Sequence, residues 1–143
     1  MRCFVLCLLL ATLVLATGSP AQDKKPIVPA GANPAGPYTP GILAGGTLYV
    51  AGQVGRDKDG KYPAEFEAEV KQCLANVANI LKAANMDFAR AVTVTVYLTD
   101  MQMFDLMNKV YMETFPEPRP ARTTVGVAKL VGDARIEITV TAH

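Results

Sequence analysis

Between Ala91 and Thr99 the residues alternate without a break, Val92, Val94, Val96 and Leu98 on one parity and Thr93, Thr95, Tyr97 and Thr99 on the other. A period of two in β-branched residues marks a strand that buries one face and presents the other. Such a strand is not stable alone, so it commits the chain to a sheet with an apolar layer on one side. The flanking sequence supplies that layer. Phe66, Val70, Leu74, Val77, Leu81 and Ala84 recur at spacings of four and three, which predicts a helix with one apolar stripe. Pro63 suits its first turn, Glu65, Glu67 and Glu69 put negative charge near its N-terminus, and Asn85 supplies a stop. Cys73 and Asn76 flank the stripe and read as packing and helix polarity. After the alternating strand, Asp100 is placed to cap a second helix with Phe104, Met107, Tyr111 and Phe115 on its inner face. Pro116, Pro118 and Pro120 end that helix and impose an extended approach to the next strand.

The remaining segments are β-prone. Leu43 to Val54 reads as a strand pair about Gly45-Gly46, followed by a solvated loop from Arg56 to Gly60. Arg122 to Leu130 and Ala134 to Ala142 read as a hairpin turning near Val131-Gly132-Asp133. The order strand, strand, helix, strand, helix, strand, strand predicts a single α+β domain, a mixed sheet with two helices on one face. The other face, with Thr93, Thr95, Tyr97, Thr139 and Thr141, is semi-polar and suits water or the same face of a second copy, so a symmetric oligomer is the natural cover.

The N-terminus stands apart. Arg2 precedes an apolar run from Cys3 to Ala16 and the small-residue stretch Thr17 to Ala21, the arrangement of a secretory signal. The run is shorter than the roughly 20 residues of a membrane span. Residues 1–21 are therefore expected to be a cleaved signal, with 22–35 a Pro-rich extended leader and 36–143 the folded domain. The location expected is periplasmic or secreted, with no stable membrane insertion. Without residues 1–21 the 14 basic residues become 13, equal to the 13 acidic ones, because Arg2 is the segment's lone charge. A neutral chain carries no electrostatic footprint for nucleic acid. Cys3 and Cys7 leave with the signal, so Cys73 has no intrachain partner for a disulfide.

Several reaction classes are excluded. The one histidine is His143, the last residue, where fraying makes a poor base. No spacing of His, Cys, Asp and Glu suits a metal, no glycine-rich phosphate loop occurs, and no core histidine is available to a triad. What remains is chemistry by carboxylates, arginine, hydroxyls and backbone amides. Arg122, at the start of a strand, and Glu137, between Ile136 and Ile138, stand out against their surroundings. By periodicity alone Glu137 belongs to a polar face with Arg135 and Thr139, and Arg122 to the surface.

Five segments together resemble the successive motifs of the RidA (YjgF-type) family. They are Gly36-Pro37-Tyr38-Thr39-Pro40-Gly41-Ile42; Leu48-Tyr49-Val50-Ala51-Gly52-Gln53-Val54; Val96-Tyr97-Leu98-Thr99-Asp100-Met101 with Phe104 and Asn108 to Tyr111; Pro120-Ala121-Arg122-Thr123-Thr124-Val125; and Ile136-Glu137-Ile138. Each is weak alone, but five in order and register, from about Gly36 to Ala142, are specific. The resemblance implies a chorismate-mutase-like fold, a homotrimer with sites between subunits, and hydrolysis of 2-imino acids to 2-keto acids and ammonia. It implies no cofactor and no metal. Carried over by position, Arg122 clamps the substrate carboxylate and Glu137 serves the attacking water, while Tyr38, Gly52, Asn108 and Thr124 line the substrate pocket. The chemistry agrees: an arginine fork grips a carboxylate bidentately, and an electrophilic iminium carbon needs only positioning and a weak base for water.

The sequence also departs from the family pattern. Ala51 replaces a usual Ser, Thr124 a frequent Cys, and Glu69 a common Gln. Loss of the hydroxyl at Ala51 favours a second reading, an exported protein that binds small carboxylates or a partner in the same cleft without turnover. RNA cleavage, proposed for some relatives, is opposed by the neutral charge and the missing core histidine. In the expected hairpin Glu137 faces Val127, which puts Arg122 roughly 17 Å from it. A bulge, a bend or a second subunit is then needed to bring the two together.

Overall fold

The structure is a computed structural model that describes residues 23–32 and 36–143. The segment expected to be a signal lies outside the described residues. Six strands form one sheet in the order β1-β2-β3-β6-β4-β5. The first three, β1 (Lys25–Ile27), β2 (Gly41–Ala44) and β3 (Thr47–Val54), make an antiparallel meander. Gly45 and Gly46 both take positive φ, 58° and 77°, which lets two residues close the β2–β3 hairpin without a Cβ clash. Lys25–Ile27 of the Pro-rich leader forms the sheet edge, where Pro26 needs no ladder N–H.

Helix α1 (Phe66–Ala83) connects β3 to β4 (Ala91–Leu98), and helix α2 (Phe104–Thr114) connects β4 to β5 (Ala121–Gly126). Pro63 precedes α1 and is not in its first turn. Asn85 takes φ 56° just past the C-terminus, as expected of a stop. The Asp100 carboxylate accepts the Gln102 N–H at 2.9 Å and caps a short 3-10 turn, Met101–Met103, that leads into α2. Val70, Cys73, Leu74, Val77, Ile80 and Leu81 of α1 and Met107, Val110 and Tyr111 of α2 share one core with Val94, Val96, Leu98, Ile136, Ile138 and Val140. Each such aliphatic side chain contributes on the order of 1.5–3 kcal/mol of burial. Both helices thus cover one face, as the sequence implies.

The terminal hairpin does not form. β5 pairs with β4 in parallel, Arg122 opposite Val94 and Thr124 opposite Val96. β6 (Ile136–Ala142) lies on the other side of β4 and is antiparallel to both β4 and β3. The turn signal was real: Gly132 has φ 64°, and Tyr62 Oη donates to the Val131 carbonyl at 3.3 Å. It reverses the chain in a connection long enough to carry β6 past β4. A helical crossover such as α2 joins parallel neighbours, so β5 takes the edge that a hairpin reading assigns to β6. His143 is also not frayed: its N–H donates to the Arg90 carbonyl at 2.9 Å, and its ring lies 3.2 Å from Thr47 Oγ1.

The start of β6 is held by an ion pair beneath α1. Glu69 is fully buried. Its Oε1 accepts the Arg135 backbone N–H at 2.7 Å and its Oε2 the Arg135 Nε–H at 2.5 Å. Arg135 Nη2 donates to the Pro63 and Ala64 carbonyls at 2.8 and 3.0 Å, and the Arg135 carbonyl accepts the Thr99 N–H at 3.0 Å. Arg135 therefore turns under the helix and does not share a polar face with Glu137. Cys73 is buried, and its thiol donates to the Gln53 carbonyl at 3.0 Å. Burial, then the negative charges of Glu69 and Glu137, push its pKa well above the usual thiol range, so it is a packing residue.

Removing Glu69 strands both the Arg135 N–H and its guanidinium. Glu69→Ala is expected to lower unfolding free energy by about 2–3 kcal/mol, and Glu69→Gln, which keeps an acceptor for the N–H, by less. Urea denaturation checks this. Equal losses for the two variants would show that the carboxylate fills space without holding β6.

Candidate functional site

The residues singled out in the sequence fall into three places. Asn108 of α2 and Arg122 of β5 line one cavity of about 450 Å³, together with Tyr111, Met112, Arg119 and Pro120. Because Arg122 opposes Val94, its side chain leaves the sheet on the helix-covered face. There its guanidinium lies 4.5 Å from the centroid of the Tyr111 ring and 5.7 Å from that of Phe104. Tyr111 is stacked on Phe115 at 4.2 Å, so the platform under the cation is itself fixed by the core. Thr124 is on the same face, two residues along β5. Its Oγ1 and the Tyr111 Oη are buried without a hydrogen-bond partner among the described residues.

Gly52 and Glu137 form the second group. Val50 opposes Val140 and Gln53 opposes Ile138, so three steps on β3 match two on β6, with the extra residue at Ala51-Gly52. Glu137 alternates with the core residues Ile136 and Ile138, which sends its side chain to the face without helices. Its carboxylate lies directly over Gly52, where an added Cβ would collide with Oε1 and fall 2.7 Å from Cδ. Glycine is there because the carboxylate occupies the space of a side chain. Tyr38, 53% exposed, is the third group. It lines a separate cavity of about 850 Å³ with Gln53, Arg56, Asn76 and Lys82.

Within one chain Arg122 and Glu137 do not meet. Across β4, Arg122 is level with Val140, three residues from Glu137 and two strands away. That separation is on the order of 14 Å, and the two side chains leave opposite faces. Sequence reasoning placed Tyr111 on the inner face of its helix and missed its unpaired hydroxyl, which periodicity does not report. It also passed over Arg119, which sits in a Pro-flanked segment with no period. Among the described residues, no group of three or more His, Cys, Asp and Glu side chains is placed to hold a metal.

The contact between Gly52 and Glu137 can be tested directly. Gly52→Ala is expected to cost about 1–3 kcal/mol by overpacking, and adding Glu137→Ala should restore most of that loss. Denaturation of the two single variants and the double variant gives the coupling. Additive losses would mean that the carboxylate does not need the space.

A family model described as Endoribonuclease L-PSP matches residues 30–143. A protein of Bos taurus named 2-iminobutanoate/2-iminopropanoate deaminase is 41% identical over 105 residues, covering 72% of this chain and 77% of that protein. A RutC family protein of Pyrococcus horikoshii is 42% identical over 112 residues, 77% of this chain and 89% of the relative. Among solved structures, the YjgF gene product of E. coli superposes with a TM-score of 0.73 at 34% identity, covering 82% of this chain and 97% of that one. Yeast Mmf1 superposes with a TM-score of 0.78 at 32% identity, covering 84% and 98%. The match spans β2 and β3, both helical crossovers and the inserted last strand, and the chain is a member of the Endoribonuclease L-PSP family, the RidA (YjgF-type) proteins.

Proposed function

We propose that this chain hydrolyses 2-imino acids to 2-keto acids and ammonia, at a site completed by a second copy of itself, after export from the cytoplasm. One observation carries the reading: a guanidinium held on an aromatic platform in a concave cavity that Asn108 also lines. That arrangement suits a small carboxylate, because the arginine fork is pre-oriented and its neighbours offer further hydrogen bonds. Relatives named as imino acid deaminases support the chemistry.

In this mechanism Arg122 holds the substrate carboxylate and fixes the C=N carbon. Water attacks that carbon while the Glu137 carboxylate takes its proton, giving a tetrahedral carbinolamine. The proton passes to the nitrogen, the C–N bond breaks, the hydroxyl proton is lost as the carbonyl forms, and ammonia leaves. Oxidation states do not change and no electron acceptor is required. Since Arg122 and Glu137 leave opposite faces of one sheet, the Glu137 acting on a given substrate comes from a neighbouring copy. The half-buried, helix-free face of Thr95, Tyr97, Thr139 and Thr141 is the surface we assign to that contact, in a homotrimer. Export rests on Arg2 and the apolar run Cys3 to Ala16.

A binding protein without turnover is the second reading, favoured by the Ala51 methyl where relatives carry a hydroxyl. RNA cleavage has only the family description behind it. The balanced charge of residues 22–143 and a lone histidine tied to Thr47 and Arg90 oppose it.

Ammonia release from imino acids generated in situ by an amino acid oxidase tests the proposal. The chain is expected to exceed the spontaneous rate, with Arg122→Ala and Glu137→Gln each lowering kcat/KM by about 100-fold or more. Co-expressing the two inactive variants should restore roughly a quarter of wild-type activity, since random mixing pairs an intact Arg122 with an intact Glu137 at that fraction of trimer interfaces. No recovery from well-mixed oligomers would place both groups in one subunit's site. Ligand binding that Glu137→Gln leaves intact, with no turnover by the wild type, would support the binding protein.

A further inference from the structure

The cavity at Arg122 carries more positive charge than a monocarboxylate requires. Arg119 lines it as well, and none of its six lining residues is acidic. The two arginines are three residues apart in extended chain, about 10 Å between Cα atoms, and their long side chains converge on one space. Tyr111 lines that space too. It is 3% exposed, and its Oη has no partner among the described residues. Burial raises the Tyr111 pKa, while the charges of Arg122 and then Arg119 pull it back, so both cations reach the phenol oxygen. The hydroxyl thus remains a protonated donor facing the cavity.

Arg119 pairs with its near neighbour Glu117. Its Nη1 bonds Glu117 Oε1, and Glu117 Oε2 accepts the Arg119 N–H at 3.2 Å. The Glu117 side chain is 69% exposed, so this is a local surface pair that an incoming carboxylate can replace or share at small cost.

We propose that this cavity selects 2-imino acids bearing a second carboxylate, with Arg122 holding the carboxylate next to the imine and Arg119 the distal one. The Tyr111 hydroxyl, at the wall of the same space, donates to a carboxylate oxygen that the two forks leave free. A substrate with an aliphatic end gains nothing from Arg119, which stays with Glu117, and leaves the Tyr111 hydroxyl without an acceptor; that difference is the source of discrimination. The inference rests on the reading of Arg122 as the carboxylate clamp.

Calorimetric titration of the full chain with 2-oxoglutarate and with 2-oxopentanoate compares product-like ligands of equal length that differ in the distal carboxylate. The wild type is expected to bind the dicarboxylate at least about tenfold more tightly, and Arg119→Gln should bring the ratio to within about threefold. Tyr111→Phe should lower the same ratio and keep the stacked ring. No preference in the wild type, no binding of either ligand, a preference that survives Arg119→Gln, or equal weakening of both ligands in that variant would each overturn the proposal. Turnover is scored separately on imino acids made in situ from glutamate and norvaline. Discrimination in binding without any turnover would defeat the deaminase reading and leave the selectivity standing, whereas turnover with no discrimination would do the reverse.

Discussion

The sheet closes around its last strand. β6 forms ladders with both β3 and β4, and Ile136, Ile138, Val140 and Ala142 bury its helix side completely or nearly so. β3 and β4 therefore share no ladder of their own, and the final residues of the chain link them in the sheet. Such long-range pairing makes closure late and cooperative, because the loop entropy is spent before the contacts form. The fixed points near the strand's start follow from this. Glu69 holds the Arg135 N–H and guanidinium, the Thr99 N–H holds the Arg135 carbonyl, and register is set one residue before the first buried isoleucine.

A central strand leaves little tolerance for a charge. Glu137 is the one charged residue in Ile136–Ala142, and it is flanked on both sides by core residues. Its carboxylate survives there because the β3 bulge brings Gly52 beneath it, giving up a side chain and a regular ladder for room. Both concessions weaken a sheet, and a polar residue such as Thr at position 137 would need neither. Their coincidence at one carboxylate favours a working role for Glu137 over the bland polar-face reading from periodicity.

Much of this was legible in the sequence because it is local. The alternation from Thr93 to Leu98, the stripes of both helices, the Gly45-Gly46 turn and the Asn85 stop each depend on neighbours within a few residues and appear as expected, whereas Val92, beside a register shift, is 52% exposed and not buried with Val94. Strand pairing is not local. Gly132 announces a reversal, but nothing near it says that β6 passes beyond β4, so the reading of a terminal hairpin failed. With it failed the distance from Arg122 to Glu137. The face of Glu137 follows from its alternation with Ile136 and Ile138, whereas that of Arg122 follows only once its partner, Val94, is known. Tyr111 shows the same limit at atomic scale: its ring position follows from a 3.6-residue period, whereas the orphaned hydroxyl depends on what β5 brings beside it.

The separation of the two charged groups is itself informative. One end of the surface holds two guanidiniums, Arg119 and Arg122, near the edge strand β5, whose outer backbone groups have no partner strand among the described residues. The uncovered face holds a carboxylate among threonines and the exposed Tyr49. A surface with cations at its edge and an anion on its face is complementary to a second copy when edge meets face. In the proposed assembly the edge of one copy meets the face of the next, a heterologous contact that closes as a ring. A two-fold dimer joining like faces would set Glu137 near its own copy and leave Arg122 in solvent. The chemistry proposed for the pair therefore needs the edge of one copy against the face of another, and the division of charge between edge and face matches that arrangement.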